Sequence, residues 1–342
     1  MRLLFIKLLH IGDSLLMTPT CSAVKKIMPN AEIFVVVRKG SEEILDGCDC
    51  ISRVISYTPI EYDNRNIKTF LNDLNNIKEL RRYTFDYIFE LTDKSRARWL
   101  SFFLKGRIKV ADGTNINLNP IWKLVFNDIL VFDQTLTHTV EKDYRIIKKY
   151  FPVPESPPTL QYSQDKALPI FDNIINNDIV VIRLATRWRS KEWPLENWVK
   201  LSLWLLNIFD YIIINTSNNS AEIEKAKLLQ EEIGKQCIYA KNGMSFSELA
   251  YLLYHAKLYI GVDTVTTHLS AACGCPTGAF YDMSDDRVYG PWKVKNKVIA
   301  MPNRNLNQAF KTFETNDYMT GISVDKAKAD ISDLLCELKQ LR

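Results

Sequence analysis

The chain has 342 residues, of which 46% are hydrophobic and 25% are charged, and it carries a formal net charge of +4. This is ordinary globular composition, which excludes a disordered or low-complexity protein. Because a single core seldom grows beyond about 250–300 residues, two domains are predicted. The N-terminal apolar run is too short for a secretory signal, and charges interrupt the other apolar runs before the length of about 18 residues that a transmembrane helix needs. A cytoplasmic protein is therefore expected.

The excess positive charge lies in the first half of the chain. Residues 1–150 contain 23 Lys and Arg against 18 Asp and Glu, whereas the charges of the remainder nearly balance. A mildly basic half suits an anionic partner, a membrane surface or plain solvation, and without a basic stripe interleaved with aromatics it does not predict nucleic-acid binding. The seven cysteines are interpreted as reduced thiols. Their two close pairs, at 48 and 50 and at 273 and 275, lack the usual C-x-x-C spacing of a metal site.

The first half alternates apolar strands with helical stretches. Leu3–Leu9 is an apolar run broken only by Lys7, which is typical of a strand buried on both faces of a parallel sheet. A loop over residues 10–14, a helical stretch up to Pro29 and a strand over Ile33–Val37 follow, as at the start of a doubly wound sheet. Further strands are predicted over Ile51–Ile55, Tyr87–Glu90 and Ile108–Val110, and helices over Ile67–Arg82, Arg96–Leu104 and Glu141–Tyr150.

Four prolines between Phe151 and Pro158 predict a linker, because proline at this density excludes a helix or a central strand. The alternation then restarts. Strands are predicted over Ile179–Arg183, Tyr211–Asn215, Cys237–Ala240, Leu258–Val262 and Thr277–Tyr281, and helices over Leu195–Leu206, Ala221–Ile233, Phe246–Tyr254, Thr266–Cys273 and Val324–Leu341. The predicted fold is α/β, with two Rossmann-like doubly wound domains facing a cleft. They span residues 1–158 and 159–323, and a C-terminal helix over 324–342 is expected to pack back on the first domain.

Ligands of open α/β sheets bind at the carboxyl ends of strands, so the loops after the strands are predicted to carry the chemistry. The first such loop contains Gly12, Asp13 and Ser14. Gly12 permits a tight turn there. The Asp13 carboxylate either caps the following helix or points into the cleft from the strand's end.

Two loops of the second half have the composition of an anion site. Thr186–Pro194 offers a hydroxyl and several cations, which clamp a diphosphate or form a solvated basic turn. Asp263 and Thr264 lead into a helix of small residues, whose N-terminus favours a negative charge. His268 falls near the start of that helix, where it either meets the same ligand or packs in the core.

Together these loops resemble the bacterial lipopolysaccharide heptosyltransferase family, glycosyltransferase family 9. The opening of the chain, with Gly12-Asp13 and Thr18-Pro19, is similar to the family's start. The other matching motifs are Lys191 with Trp193-Pro194 for Lys-x-Trp-Pro, Asp263-Thr264 with His268 for Asp-Ser/Thr-Gly-x-x-His, and Gly-Pro-Trp at Gly290–Trp292. The resemblance runs from residue 1 to about residue 295.

The resemblance implies a GT-B fold and an inverting glycosyltransferase that needs no metal ion or other cofactor. It implies that the enzyme moves a heptose from ADP-heptose to the lipopolysaccharide inner core, as a peripheral protein at the inner face of the inner membrane. Asp13 would be the catalytic base. The donor would be bound by Thr186, Lys191, Asp263, Thr264 and His268, and the acceptor side would include Lys7, Gly12, Arg96 and Arg98.

Two departures from the family pattern keep other functions open. Val265 stands where the family has glycine, and Ala185 replaces one of two threonines. One alternative is a transferase of the same fold with a different nucleotide sugar or acceptor. Another is a non-catalytic nucleotide-binding protein. A dehydrogenase is disfavoured, because no Gly-x-Gly-x-x-Gly follows a predicted strand.

Overall fold

The computed structural model describes residues 1–57, 67–114, 120–132, 137–163, 171–187, 189–282, 284–302 and 319–340. Contacts divide the chain into two compact units, residues 1–161 and 162–342. Each unit contains a parallel sheet of six described strands, with helices between them in the chain. The division lies three residues beyond the boundary expected from the sequence.

The first unit is built on a central strand that is apolar from Leu3 to Ile6. Its strands β1–β6 span Arg2–Lys7, Glu32–Arg38, Arg53–Tyr57, Phe85–Glu90, Gly106–Asp112 and Asp128–Leu130. Its described helices α1–α6 span Ile11–Leu16, Thr18–Ile27, Ile67–Leu80, Ser95–Phe103, Pro120–Val125 and Thr139–Lys148. The strand order is β3-β2-β1-β4-β5-β6. From Leu3 to Ile6, β1 is wholly buried, as a strand covered on both faces must be.

The second unit repeats this plan. Its strands β7–β12 span Ile179–Arg183, Tyr211–Ile214, Cys237–Tyr239, Leu258–Val262, Thr277–Phe280 and Asn296–Ile299. Its described helices α7–α12 span Leu195–Leu205, Ser220–Ile233, Phe246–His255, Val265–Ala272, Asp286–Tyr289 and Val324–Lys339. The strand order is β12-β11-β10-β7-β8-β9. None of the helices in the described parts of the chain is long and apolar enough to cross a membrane.

Both sheets start in the middle and grow outward in the two directions. The order of strands reverses between β1 and β4 in the first sheet and between β7 and β10 in the second. Loops diverge at such a switch point and leave a crevice at the carboxyl edge of the strands. Asp13 follows β1, Lys191 follows β7 and Asp263 follows β10, so the sequence-predicted residues lie at these two edges.

The C-terminal helix α12 completes the core of the second unit. Its buried residues Ala327, Ile331 and Leu334 share an apolar cluster with Trp198 and Leu201 of α7. The helix contacts α7 and the strands β11 and β12 of its own unit, and its expected packing on the first domain stays a prediction.

The proline-rich stretch forms neither helix nor strand, as its composition predicts, and it packs on the first unit. The Phe151 ring lies 5.0 Å from the ring of Tyr87 and 6.1 Å from that of Phe89. The Tyr144 hydroxyl donates to the carbonyl oxygen of Pro154 at 2.7 Å. These contacts fix the stretch on the first unit.

The chain after β1 differs from the predicted loop and single long helix. His10 is the N-cap residue of α1, and Pro19 stands in the first turn of a separate helix, α2. Proline suits a first turn because its missing N–H has no partner there in any case. The sequence pattern also predicts none of α5, β6, α11 and β12, which have six residues or fewer and are too short to show a period.

Candidate functional site

Lys191 is the central cation at the switch point of the second sheet. Its Nζ donates to Ser284 Oγ at 2.6 Å and lies 3.4 Å from Asp263 Oδ2 and 4.0 Å from Asp282 Oδ1. The side chain is 18% exposed. The hydrogen bond to Asp263 is long and Asp282 lies beyond hydrogen-bond distance, so the ammonium keeps capacity for a further anionic partner.

A buried tryptophan holds the loop that carries Lys191. The Trp193 indole nitrogen donates to the carbonyl oxygen of Ile322 at 2.8 Å, and its ring packs 4.7 Å from Phe280 and 5.4 Å from Trp198. Lys191 ends a 3₁₀ turn two residues earlier. In the Lys-x-Trp-Pro motif, the buried tryptophan therefore fixes the backbone that carries the lysine. The helix α7 starts directly after the proline.

Thr186 begins the same loop and is tied to its far end. The Thr186 backbone N–H donates to Glu192 Oε1 at 3.2 Å, and Lys225 pairs with the other oxygen of Glu192. These contacts close the loop that carries Thr186 and Lys191, and the predicted donor contact of the Thr186 hydroxyl stays a prediction. Trp188 of this loop lies outside the described residues.

The helix α10 begins beside Asp263, with Thr264 as N-cap residue and Val265 as first residue. The first N–H groups of a helix have no partner within it and point towards any ligand at its end. A side chain at Gly261 would collide with the Tyr259 hydroxyl, so the strand entering this turn requires glycine. His268 is buried in the first turn of this helix. Its contact with phosphates stays a prediction.

Sequence reasoning missed Asp282 and Ser284, which contact Lys191 from the loop after β11. The available signal was positional: Asp282 follows a predicted strand, and polar residues after neighbouring parallel strands meet at one edge. It also missed Asn215 after β8, whose Oδ1 accepts from the Thr266 hydroxyl at 3.0 Å and holds α10 in place.

Asp13 lies in the first turn of α1, at the carboxyl edge of the first sheet. Its Oδ2 accepts the backbone N–H of His10 at 3.0 Å, which is the helix-capping contact that the sequence allowed. The residue is 8% exposed. Its Oδ1 has no hydrogen-bond partner among the described residues. One oxygen therefore fixes the carboxylate while the other remains able to accept a proton, as a positioned base requires.

Lys7 is placed differently from the predicted acceptor contact. Its side chain is 1% exposed, and Nζ donates to both carboxylate oxygens of Asp143 on α6, at 2.7 and 2.9 Å. Burial raises the pKa of Asp143 although Lys7 acts against it. A cation enclosed in this way holds α6 to the centre of the sheet and has no side left for a ligand.

Arg98 is also enclosed. Its Nη2 donates to Asp93 Oδ1 at 2.5 Å and to the carbonyl oxygen of Asp112 at 3.2 Å, and Nε lies 3.6 Å from Glu90 Oε2. Arg96, two residues earlier in α4, is exposed and has no ion pair among the described residues. Of the two predicted acceptor cations on this helix, only Arg96 therefore faces solvent. Gly12 is buried within α1.

These buried charges form one network at the edge of the first sheet. Three cations each have a carboxylate: Lys7 with Asp143, Arg98 with Asp93, and Lys142 with Asp112 at 2.6 Å. Glu90 is the carboxylate left over. Burial raises the pKa of Glu90 to about 8 despite the nearby Arg98. Glu90 is therefore mostly protonated at pH 7, and the network approaches neutrality.

Among the residues that the structure describes, no three His, Cys, Asp or Glu side chains are grouped so as to hold a metal ion. Cys273 and Cys275 are free and buried, and burial raises the pKa of both thiols. They are neutral thiols at pH 7. Lys191 and the N-terminus of α10 are two positive groups that the site offers to an anion.

Residues 74–319 match the sequence model of glycosyltransferase family 9 (heptosyltransferase). Lipopolysaccharide heptosyltransferase 3 of Escherichia coli K12 is 27% identical over 294 residues, which cover 82% of each chain. Lipopolysaccharide heptosyltransferase 1 of the same strain is 24% identical over 319 residues, 90% of this chain and 95% of the relative.

A solved structure, the E. coli heptosyltransferase WaaC with ADP, has a TM-score of 0.80 to this chain at 20% identity. The match covers 98% of this chain and all of the other. Similarity at this identity concerns the fold. The predicted fold class, two Rossmann-like parallel sheets of the GT-B type, is confirmed.

Proposed function

The chain belongs to glycosyltransferase family 9, the heptosyltransferase family, and from this premise we propose that it transfers a heptose from ADP-heptose to the lipopolysaccharide inner core. It is a glycosyltransferase. We propose that the transfer inverts the anomeric centre and requires no metal ion. The observation that carries the proposal is the partly exposed Lys191, within 4.0 Å of Asp263 and Asp282 beside the N-terminus of α10.

The second unit is the proposed donor site. The diphosphate would accept hydrogen bonds from Lys191 and from the first N–H groups of α10. That the E. coli neighbour was solved with ADP supports an adenosine diphosphate donor. Negative charge grows on ADP as its bond to the sugar breaks. Lys191 and the hydroxyl of Thr186 or Thr264 would stabilise that charge without a metal. Asp263 would bind the sugar or orient the helix end, and His268 would contact the phosphates.

The first unit is the proposed acceptor site. An acceptor hydroxyl attacks the anomeric carbon on the side opposite the ADP, so the carbon inverts. Asp13 takes the hydroxyl proton, which the unpartnered Oδ1 supports. Gly12 and the exposed Arg96 would contact the acceptor. Lys7 and Arg98 are instead proposed to hold the network on which this edge rests.

We further propose peripheral association with the inner face of the inner membrane. The lipopolysaccharide core is attached to a lipid, so its acceptor hydroxyl lies close to a bilayer surface. The positive bias of the first half of the chain suits the anionic headgroups found there.

One observation favours a second candidate, a transferase of the same family with another nucleotide sugar. Val265 is the first residue of α10, so a branched side chain stands where the backbone approaches the donor. A donor whose diphosphate lies farther from the helix would accommodate it.

A panel of nucleotide sugars tests the donor by thermal shift. At about a hundredfold excess over Kd, the correct donor should raise Tm by roughly 5–10 °C. We expect this rise with ADP-heptose and a smaller rise with ADP. A rise with UDP- or GDP-sugars but none with ADP-sugars would refute the heptose proposal. A shift with no transfer to any acceptor would support a non-catalytic nucleotide-binding protein instead.

A further inference from the structure

Two helices of the first unit that contact each other both expose large apolar side chains. Trp99, Phe102 and Phe103 of α4 are 46%, 47% and 46% exposed, and Ile121 and Leu124 of α5 are 47% and 89% exposed. We call these five residues the α4–α5 face. Single exposed apolar residues are common on soluble proteins, whereas a contiguous group marks a surface that meets a partner.

The rings of the face contact one another and stand on a buried anchor. The Trp99 ring lies 5.7 Å from Phe102 and 6.4 Å from Phe103. It also lies 5.1 Å, edge-on, from Trp122 of α5, which is buried with Phe126 in a small core of its own. The face is therefore pre-ordered by packing, and covering it costs little side-chain entropy.

The sequence around the face carries mainly positive charge. Residues 94–111 contain six basic residues and no acidic one, and α5 adds Lys123 without an acid. Five of these cations are exposed: Lys94, Arg96, Lys105, Arg107 and Lys123. Arg107 has Asp86 at 3.8 Å, a loose exposed pair. Exposed apolar side chains in a mainly cationic region match an anionic lipid surface, where apolar groups enter the headgroup region and Lys and Arg reach phosphates.

The second unit provides a contrast on the same chain. Leu203 of α7 is 50% exposed, but the neighbouring helix α8 carries four glutamates against two lysines within Ser220–Ile233. Acidic residues beside an apolar side chain are repelled by anionic headgroups. Exposure alone therefore does not distinguish the α4–α5 face; the combination of exposure and charge does.

We propose that the α4–α5 face docks the first unit on an anionic membrane surface. Trp99, Phe102 and Leu124 enter the headgroup region, and the bordering cations bind lipid phosphates. This docking surface specifies how the proposed peripheral association would occur. It rests on the proposed function, which supplies the inner membrane as the source of the lipid. Because α4 also carries Arg96, docking through this face would bring a lipid-borne acceptor to the edge of the unit that holds Asp13.

Vesicle co-sedimentation tests the proposal with the whole protein. The probes are vesicles of phosphatidylcholine alone and of an equal mixture of phosphatidylcholine and phosphatidylglycerol. We expect binding to the mixed vesicles that weakens as salt is added. Phe102→Glu with Leu124→Glu should lower the partition coefficient by about tenfold or more, since each change places an anion at the interface. Leu203→Glu, the matched control, should bind like the unchanged chain.

Further measurements keep the outcomes separate. Leu124→Glu alone changes the most exposed of these side chains, so it tests the face even if the double variant fails to fold. An unaltered ADP-induced thermal shift in each variant shows that the donor site is intact. Equal vesicle binding by Leu124→Glu, Leu203→Glu and the unchanged chain would overturn the proposal. A dimer in solution that the variants dissociate, with no vesicle binding, would assign the face to a second copy of the chain. Vesicle binding without any use of ADP-sugars would refute the proposed function and leave this surface standing.

Discussion

Cations and carboxylates lie at the carboxyl edges of both sheets, but the cations differ in exposure and in their distance from the nearest carboxylate. In the first unit, Lys7 and Arg98 have side chains no more than 5% exposed, with a carboxylate oxygen at 2.7 and 2.5 Å. In the second, Lys191 is 18% exposed, and its nearest carboxylate oxygen lies 3.4 Å away. The same doubly wound plan thus produces one edge whose buried cations are closely paired with carboxylates. At the other edge, the cation is partly exposed and only loosely paired.

The comparison separates structural cations from ligand-binding ones. Removing a cation from the closed edge leaves a buried carboxylate without a partner and costs stability. Removing one from the open edge lowers affinity for an anion but leaves the core intact.

Asp13 is the proposed exception on the closed edge, where a carboxylate acts on a substrate. Asp13→Asn keeps an acceptor for the His10 N–H and removes the base. We expect kcat to fall by about 10²–10⁴-fold, with the donor-induced thermal shift unchanged. Asp13→Ala also loses the capping contact, so it should additionally cost about 1 kcal/mol of unfolding free energy. Near-normal transfer by Asp13→Asn would remove Asp13 from the catalytic role.

Lys7→Met should destabilise the first unit by about 3–5 kcal/mol, because Asp143 would remain buried without its partner. Urea unfolding followed by circular dichroism measures the change. The double variant Lys7→Met with Asp143→Leu should recover most of the loss, since no charge is then buried alone. If Lys7→Met instead kept full stability and lost acceptor affinity, Lys7 would be a ligand contact, as the sequence first predicted.

In contrast to Lys7→Met, Lys191→Met should weaken ligand binding and leave stability nearly unchanged. We expect the Kd for ADP to rise about tenfold to a hundredfold, the value of one charge-assisted hydrogen bond, while Tm in the absence of ligand changes little. Isothermal titration calorimetry measures the affinity. Lys257→Met is the matched control, because Lys257 pairs with Asp178 at the amino edge of the same sheet. Equal Kd values for the two variants would remove Lys191 from the donor site.

Glu90 makes the stability of the closed edge depend on pH. Burial raises the pKa of Glu90 to about 8 in the folded protein, above its unfolded value of about 4.3. The folded state therefore holds the proton more tightly, and stability falls as pH rises between these two values, by at most about 1.4 kcal/mol per pH unit. Relative to the unchanged chain, Glu90→Gln should gain stability across this window and level off above it. Thermal melts against pH measure the difference. The exposed Glu141→Gln should show a flat difference, and a flat one for Glu90→Gln would contradict the assignment.

The sequence correctly predicted which residues lie at the carboxyl edges of the sheets, but it did not predict which charged side chains pair there. Apolar runs such as Leu3–Ile6 locate central strands, because only a strand buried on both faces is apolar throughout. The motif residues Lys191 and Asp263 were predicted for the same reason, since both lie in loops that follow such strands. The pair of Lys7 and Asp143 joins residues 136 positions apart, and no local pattern reveals which lysine will be enclosed.

The helix α4 carries both a structural and an exposed cation. From the sequence, Arg96 and Arg98 are both predicted to contact the acceptor. Arg96 is exposed in the first turn of α4, whereas Arg98 is held by Asp93 and Glu90. Arg96→Gln should raise the acceptor KM by about threefold to tenfold with kcat unchanged, because it removes binding that the ground state and transition state share. Arg98→Gln should lower Tm and leave the KM of the folded fraction near its original value. Steady-state kinetics at several acceptor concentrations, together with melting curves, distinguish the two. If Arg98→Gln raised KM without changing Tm, the closed edge would have to open during acceptor binding, and the division between structural and ligand-binding cations would not hold for α4.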